Sequence, residues 1–183
     1  VYSTLDFKSA FNSLKLNPDD AHKLSFTWRN TQYQPIGTVF GIRHVSSQFQ
    51  RTMSIVLEGL PFVRYFVDDI VCASHSVDEH KHHLIQVIQR LTDNNLKLNV
   101  EKCSFFQSEI YLLGFRISPK GISMDRRKLA NVIDFPQPKT GKDVMRYCGL
   151  INYFRTLIPN VSTIMSPLDP LRNEKSLSTP TSI

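Results

Sequence analysis

Apolar residues recur along the chain with two different periods, and the switches between them mark out the elements. In "YSTLDFKSAF" the run from Tyr2 to Asp6 predicts a strand that enters a turn and a short helix. "NPDD" punctuates, and "KLSFTW" and "TQYQPI" then flank the Arg-Asn-Thr turn as a hairpin from Leu24 to Ile36. From Ser46 to Leu57 the period changes: Phe49, Met53, Val56 and Leu57 fall at helical spacing, which predicts a helix packed on the sheet and stopped by Gly59 and Pro61. Around Asp68-Asp69, the β-prone residues Val63, Tyr65, Phe66 and Val67 on one side and Ile70, Val71, Cys72 and Ala73 on the other predict a second hairpin with Asp68 at its tip. Ser76-Val77-Asp78-Glu79 has capping-box spacing and opens a helix with His80, Leu84, Val87, Ile88 and Leu91 along one stripe, ended at Asn94-Asn95. "IYLLGFRISPKGISM" predicts two strands joined at Pro119-Lys120-Gly121. From Asp125 the pattern is helical, with Leu129, Val132 and Ile133 before Pro136, then Val144, Tyr147, Cys148, Leu150, Ile151 and Phe154 before Pro159. The polar "NEKSLSTPTSI" is expected to be disordered.

A β-rich body is thus followed by a helical appendage, and the charge divides the same way. Residues 1–96 hold nine Lys/Arg and nine Asp/Glu, whereas residues 97–183 hold thirteen and seven, so the whole excess of +6 lies in the second half. One-sided basicity with a pI near 9.3 is an electrostatic footprint suited to nucleic acid. With 183 residues and 41% hydrophobic content there is material for one substantial core or two small ones. No apolar run approaches the ~20 residues that cross a bilayer, and the opening residues lack a signal-peptide layout. The three cysteines are far apart, which supports neither a disulfide framework nor a zinc site and fits a reducing, intracellular setting. The abrupt start without Met leads us to expect a truncated domain.

Asp68 and Asp69 carry the first chemistry. Asp is a common turn residue, and a solvated loop is the plain explanation of such a pair. Tight hairpins, however, favour Asn-Gly or Asp-Gly, and two adjacent carboxylates in an apolar run repel each other and resist desolvation. A divalent cation removes both penalties, so the pair has the character of a metal site awaiting a third ligand. His75, His80, His82 and His83 invite a metal reading as well. No acidic or Cys ligand completes their pattern, and packing and surface roles are the expectation.

Five ordered motifs resemble the reverse transcriptases of gypsy-type (Ty3-like) long-terminal-repeat retrotransposons. "LDFKSAF" resembles L-D-L-K-S-G-Y, "VFGIRHVSSQFQRTM" resembles P-F-G-L-x-N-A-P-x-x-F-Q-x-x-M, and "YFVDDIV" resembles the Y-x-D-D box. "LKLNVEKCSFF" with "YLLGFRISPKGI" is similar to the primer-holding region, and "VMRYCGLINYFRTLIP" to the thumb helix. The resemblance implies an α+β right-hand polymerase fold. Residues 1–123 would form the palm, an antiparallel sheet with packed helices and a partial fingers hairpin at 18–37; residues 124–171 would form a helical thumb, with a tail at 172–183.

By the same resemblance the chemistry is RNA-directed DNA polymerisation with two Mg²⁺ ions, for which Mn²⁺ can substitute, a primed RNA or DNA template and deoxynucleoside triphosphates. Asp6 and Asp68 would bridge the metals, with Asp69 as third acid and the Phe7 backbone carbonyl completing the shell. Ala10, Phe11, Phe40, Gly41 and Lys102 would meet the nucleotide, Phe11 as an aromatic gate beside the sugar and Lys102 at the leaving pyrophosphate. Phe11 is equally explained as core, and Lys102 as a solvated lysine. Leu112, Leu113 and Gly114 would support the primer end. Arg126, Arg127, Lys128, Lys142, Arg146 and Arg155 would contact phosphates without reading sequence, although a solvated helix face accounts for some of them.

The chain departs from the family pattern at Phe66, where the family has Tyr, at Ala10 for Gly, and at Val39, Val45 and Ser46 in place of prolines and an alanine. Family members also carry fingers residues ahead of the first Asp, together with ribonuclease H, integrase and protease segments. Two other classes stay open: a catalytically inactive remnant that binds nucleic acid, and another two-metal enzyme such as a nuclease.

Overall fold

The computed structural model describes residues 1–39 and 41–177, and it divides at residue 110 into two compact units. The first contains β1 (Tyr2–Leu5), α1 (Pro18–Ala21), β2 (Phe26–Trp28), β3 (Thr31–Tyr33), α2 (Val45–Val56), β4 (Val63–Phe66), β5 (Asp69–Ala73), α3 (Val77–Asp93) and β6 (Ser104–Gln107). Its main sheet runs β4-β5-β1-β6 with antiparallel neighbours, so β1 lies inside it. Alternation decides which side chains face the helices. Ser3 and Leu5 pair with Cys72 and Ile70, and Val63 with Cys72, and all five are buried under Phe49 and Met53 of α2 and Leu84, Val87 and Leu91 of α3. The alternate positions, Thr4, Asp6, Arg64, Phe66 and Asp69, belong to the opposite face, which no helix of the core cluster covers.

His80 sits in the apolar stripe of α3 with none of its surface exposed, and its polar ends are satisfied there. Nε2 meets Ser3 Oγ at 2.7 Å and Nδ1 meets Ser74 Oγ at 2.8 Å. His83 shares Ser74 Oγ at 2.8 Å and stacks flat on Phe62, ring centroids 3.6 Å apart. Packing and hydrogen bonding thus occupy these two histidines. The β2–β3 hairpin turns at Arg29 and Asn30, both at positive φ, as a two-residue primed turn requires. Phe26 stacks on Tyr33 at its base.

The second unit runs from Tyr111 onward. β7 (Ile110–Leu112), whose first residue closes the first unit, β8 (Phe115–Ser118) and β9 (Gly121–Met124) form a three-stranded sheet, followed by α4 (Arg126–Ile133), α5 (Gly141–Tyr153) and α6 (Val161–Met165). The sequence reading of two strands over 110–124 is corrected to three. Leu113 (φ 50°) and Gly114 (φ 81°) form a turn inside the apolar run "YLLGF", where Leu113 conceals the break. Thr140 and Asp143 make a reciprocal capping box at the start of α5. Val144 and Cys148 of α5 pack with Val161 and Met165 of α6. Disorder from residue 172 is also corrected over 172–177: Gly141 N–H donates to Glu174 O and Leu177 N–H to Lys139 O, each at 2.8 Å, and Leu177 joins the apolar cluster. Residues 178–183 lie outside the described residues.

Candidate active site

The end of the four-stranded sheet brings three aspartates together. One register step beyond the Leu5–Ile70 pair sets Asp6 abreast of Asp69, and the Phe66–Asp69 pair closes β4 onto β5 around the Val67-Asp68 turn. The tip is thus shared by Val67 and Asp68. Val67 has φ 54°, a left-handed conformation that a β-branched residue adopts only when its surroundings hold it there. Gln50 on α2 supplies the hold, accepting the Val67 N–H with its Oε1 at 2.6 Å.

Asp6 is fixed through its backbone. Asn99 N–H donates to Asp6 O at 2.8 Å, and Asp6 N–H donates to Cys103 Sγ at 3.4 Å. Lys8 N–H donates to Lys97 O at 2.8 Å, which makes Phe7–Leu98 a non-hydrogen-bonded antiparallel pair. Such a pair turns the residue's own N–H and C=O to the other edge. For Phe7 that is the side of Asp69, the first residue of β5, and of the Val67-Asp68 turn.

Burial, reinforced by Asp68 and then Asp6, holds the Asp69 carboxyl above its usual value. Among the described residues no three His, Cys, Asp or Glu side chains converge tightly enough to hold a metal ion. The donors are nevertheless hard oxygens with surplus negative charge, the set that suits a divalent cation such as Mg²⁺.

Other expected residues are distributed as follows. Ala10 is buried, and Phe11 is half-buried with its ring edge-on to Phe49 at 5.7 Å, a placement that keeps both the packing and the gate readings. Gly41 has φ 91° and open space where a Cβ would stand, so backbone conformation is its requirement; Phe40 lies outside the described residues. Lys102 is exposed at the end of the 3-10 turn Val100–Lys102. In the second unit Leu113 and Gly114 form the β7–β8 turn directly after Leu112. Arg126, Lys128, Lys142 and Arg155 are exposed, whereas Arg127 is paired with the buried Asp125 at 2.8 Å and Arg146 reaches Asp143 at 3.4 Å.

The family described as "Reverse transcriptase (RNA-dependent DNA polymerase)" matches residues 1–117. The chain belongs to the reverse transcriptase family. It is 32% identical over 173 residues to the Transposon Tf2-3 polyprotein of Schizosaccharomyces pombe, covering 93% of this chain and 13% of that polyprotein. It is 30% identical over 169 residues to the "Retrovirus-related Pol polyprotein from transposon 297" of Drosophila melanogaster, covering 91% of this chain and 16% of that protein. The chain therefore spans about an eighth to a sixth of these curated relatives. Among solved structures, a foamy viral protease-reverse transcriptase in complex with double-stranded DNA superposes with a TM-score of 0.86 at 25% identity, covering 97% of this chain and 38% of that one. A dRH form of the foamy viral protein with double-stranded DNA gives 0.89 at 24% identity, over 98% of this chain and 32% of that one, which speaks for the fold.

As a reverse transcriptase domain of retrotransposon type, the chain has site residues that its motifs left without a role. Gln50 was visible as the "Q" of "FQ", but only the folded turn reveals that it serves Val67. Cys103, the cysteine of "EKC", carried no signal of its bond to the Asp6 amide, because 97 residues separate them.

Proposed function

We propose that this chain is the palm and thumb of an RNA-directed DNA polymerase that extends a primer 3′-hydroxyl on an RNA or DNA template. The observation that carries the reading is that Asp6, Asp68 and Asp69 share one sheet end, where burial, then Asp68 and Asp6, hold the Asp69 carboxyl above its usual value. Asp6 and Asp68 would hold two divalent ions, with Asp69 and the Phe7 carbonyl completing the donor set. When bound, those ions supply Lewis-acid activation of the hydroxyl and neutralise charge on the leaving pyrophosphate. The chain itself contributes position: Gln50 fixes the backbone of the Val67-Asp68 turn and Asn99 fixes the backbone of Asp6, so the acids would need only side-chain adjustment to meet the ions. Phe11 would act as the ring that favours deoxynucleotides, and Lys102 as the cation that meets the pyrophosphate. The exposed cations Arg126, Lys128, Lys142 and Arg155 suit phosphate contacts that position the duplex without reading its sequence.

The test is primer extension on an RNA template with Mg²⁺ or Mn²⁺, comparing the wild type with Asp68→Asn. Divalent-dependent incorporation that disappears in the variant supports the polymerase. Salt-dependent duplex binding without incorporation selects the non-catalytic binding module, and cleavage without incorporation selects a nuclease.

A further inference from the structure

The β7–β8 turn has the wrong residue for its shape. Leu113 and Gly114 both lie at positive φ, the primed two-residue turn that Asn-Gly or Gly-Gly would form without strain. A leucine in the left-handed region is unfavourable, and its side chain remains 39% exposed, so burial does not explain the conformation. What holds it comes from α4 and α5. Tyr153, the last residue of α5, donates its hydroxyl to Leu113 O at 2.7 Å. The Tyr153 ring stacks on Phe115 (5.7 Å, 26°) and meets Phe154 edge-on (4.9 Å, 84°). A Cβ on Gly114 would stand 3.6 Å from the Phe154 ring, and Gly114 O accepts the N–H of Asp125 at 3.0 Å. Asp125 is in turn fixed by Arg127, whose guanidinium lies 4.9 Å over the Tyr111 ring.

We infer that the Tyr153 hydroxyl is a positioning group for the primer end. It locks the Leu113 carbonyl to α5 so that the turn presents Leu113 outward in one orientation. The inference rests on the primer-holding role proposed for Leu112, Leu113 and Gly114. Tyr153 touches no reacting atom; it acts through the turn.

The test is Tyr153→Phe, which removes one oxygen and keeps the stack on Phe115. In the free protein the Gly114 and Phe115 amides should exchange faster, and unchanged exchange overturns the clamp. With a primer carrying 2-aminopurine at its 3′ end, the bound-state fluorescence should differ from wild type while duplex Kd stays within twofold. In single-nucleotide addition kcat should fall three- to tenfold at unchanged KM for the deoxynucleotide, which at 1.36 kcal/mol per tenfold is about 0.6–1.4 kcal/mol, the size of one neutral hydrogen bond. A merely structural role would lower thermal stability and leave kcat and the aminopurine signal unchanged. If the wild type binds the duplex but adds no nucleotide, the polymerase reading fails and the aminopurine signal still decides the inference. Identical signals in the two proteins overturn it, and a wild type that does not bind the duplex overturns both.

Discussion

Replacing Gln50 by leucine should damage the Asp68 turn from a distance. Val67 is held at φ 54°, a region that costs an L-residue roughly 1–2 kcal/mol, and its N–H donates to Gln50 Oε1 at 2.6 Å. Leucine fills similar volume and offers no acceptor. The net loss of such a bond is about 0.5–1.5 kcal/mol, and a partly buried amide left unpaired raises the total to about 1–2 kcal/mol. For a chain of this size that lowers Tm by roughly 2–4 °C per kcal/mol, readable by calorimetry or circular dichroism.

Activity should suffer more than stability, because relaxation of Val67 shifts the neighbouring Asp68, and a misplacement of about 1 Å can cost on the order of a hundredfold in rate. Primer extension by Gln50→Leu should therefore fall roughly ten- to a hundredfold while duplex affinity is kept. Gln50→Glu retains an acceptor for the Val67 amide and should recover most of the thermal loss, and its added negative charge should lower the divalent ion concentration needed. A Gln50→Leu protein with wild-type Tm and wild-type rate would show that the turn holds its own shape without Gln50.

The remaining predictions concern charge and packing. Asp69 has a folded pKa raised above 3.8 by burial, Asp68 and Asp6, so the folded state binds its proton more tightly than the unfolded chain does, and stability falls as pH rises from 3.8 through the folded value. Asp69→Asn should accordingly stabilise the metal-free protein at neutral pH and change nothing at pH 3, and Mg²⁺ should raise Tm more in wild type than in the variant; equal melting curves at neutral pH would contradict the carboxylate cluster. His80 is held below 6.5 chiefly by burial, so its contribution is complete above pH 6.5 and is lost as pH falls through the folded value. His80→Leu, which takes one partner each from Ser3, still bonded to the Phe106 N–H, and Ser74, still bonded to His83, should cost about 1–3 kcal/mol at neutral pH and flatten the acid limb of the stability profile, as followed by urea titration. A Cβ at Gly141 would stand 2.3 Å from Arg172 O and 2.8 Å from Glu174 O, both backbone atoms, so Gly141→Ala should cost about 2–3 kcal/mol and expose residues 172–177 to proteolysis. A variant as protease-resistant as wild type would refute that docking.

Which parts of this fold were legible in the sequence follows from how local each cause is. The α2 and α3 helices and the Asp-Asp hairpin rest on periods and caps written within a dozen residues, and they appear where Phe49, Met53 and the Ser76 capping residue indicate. The third strand over 110–124 was hidden because the residue that turns it is a leucine, whose conformation is imposed by Tyr153 forty positions later. Val67 is the same case in the first unit: a β-branched residue in an αL turn contradicts every local preference, and it persists because Gln50 lies 17 residues upstream on a helix packed beneath. Both misfit residues lie in turns to which the family resemblance assigns chemistry, one beside the acids and the other in the primer-holding hairpin. Local propensity fails where tertiary contacts override it, and each override has a single hydrogen bond that a conservative substitution can remove. Gln50→Leu and Tyr153→Phe therefore probe one physical claim in two separate units: a turn strained against its own sequence is held for its geometry, and releasing it should cost more rate than stability.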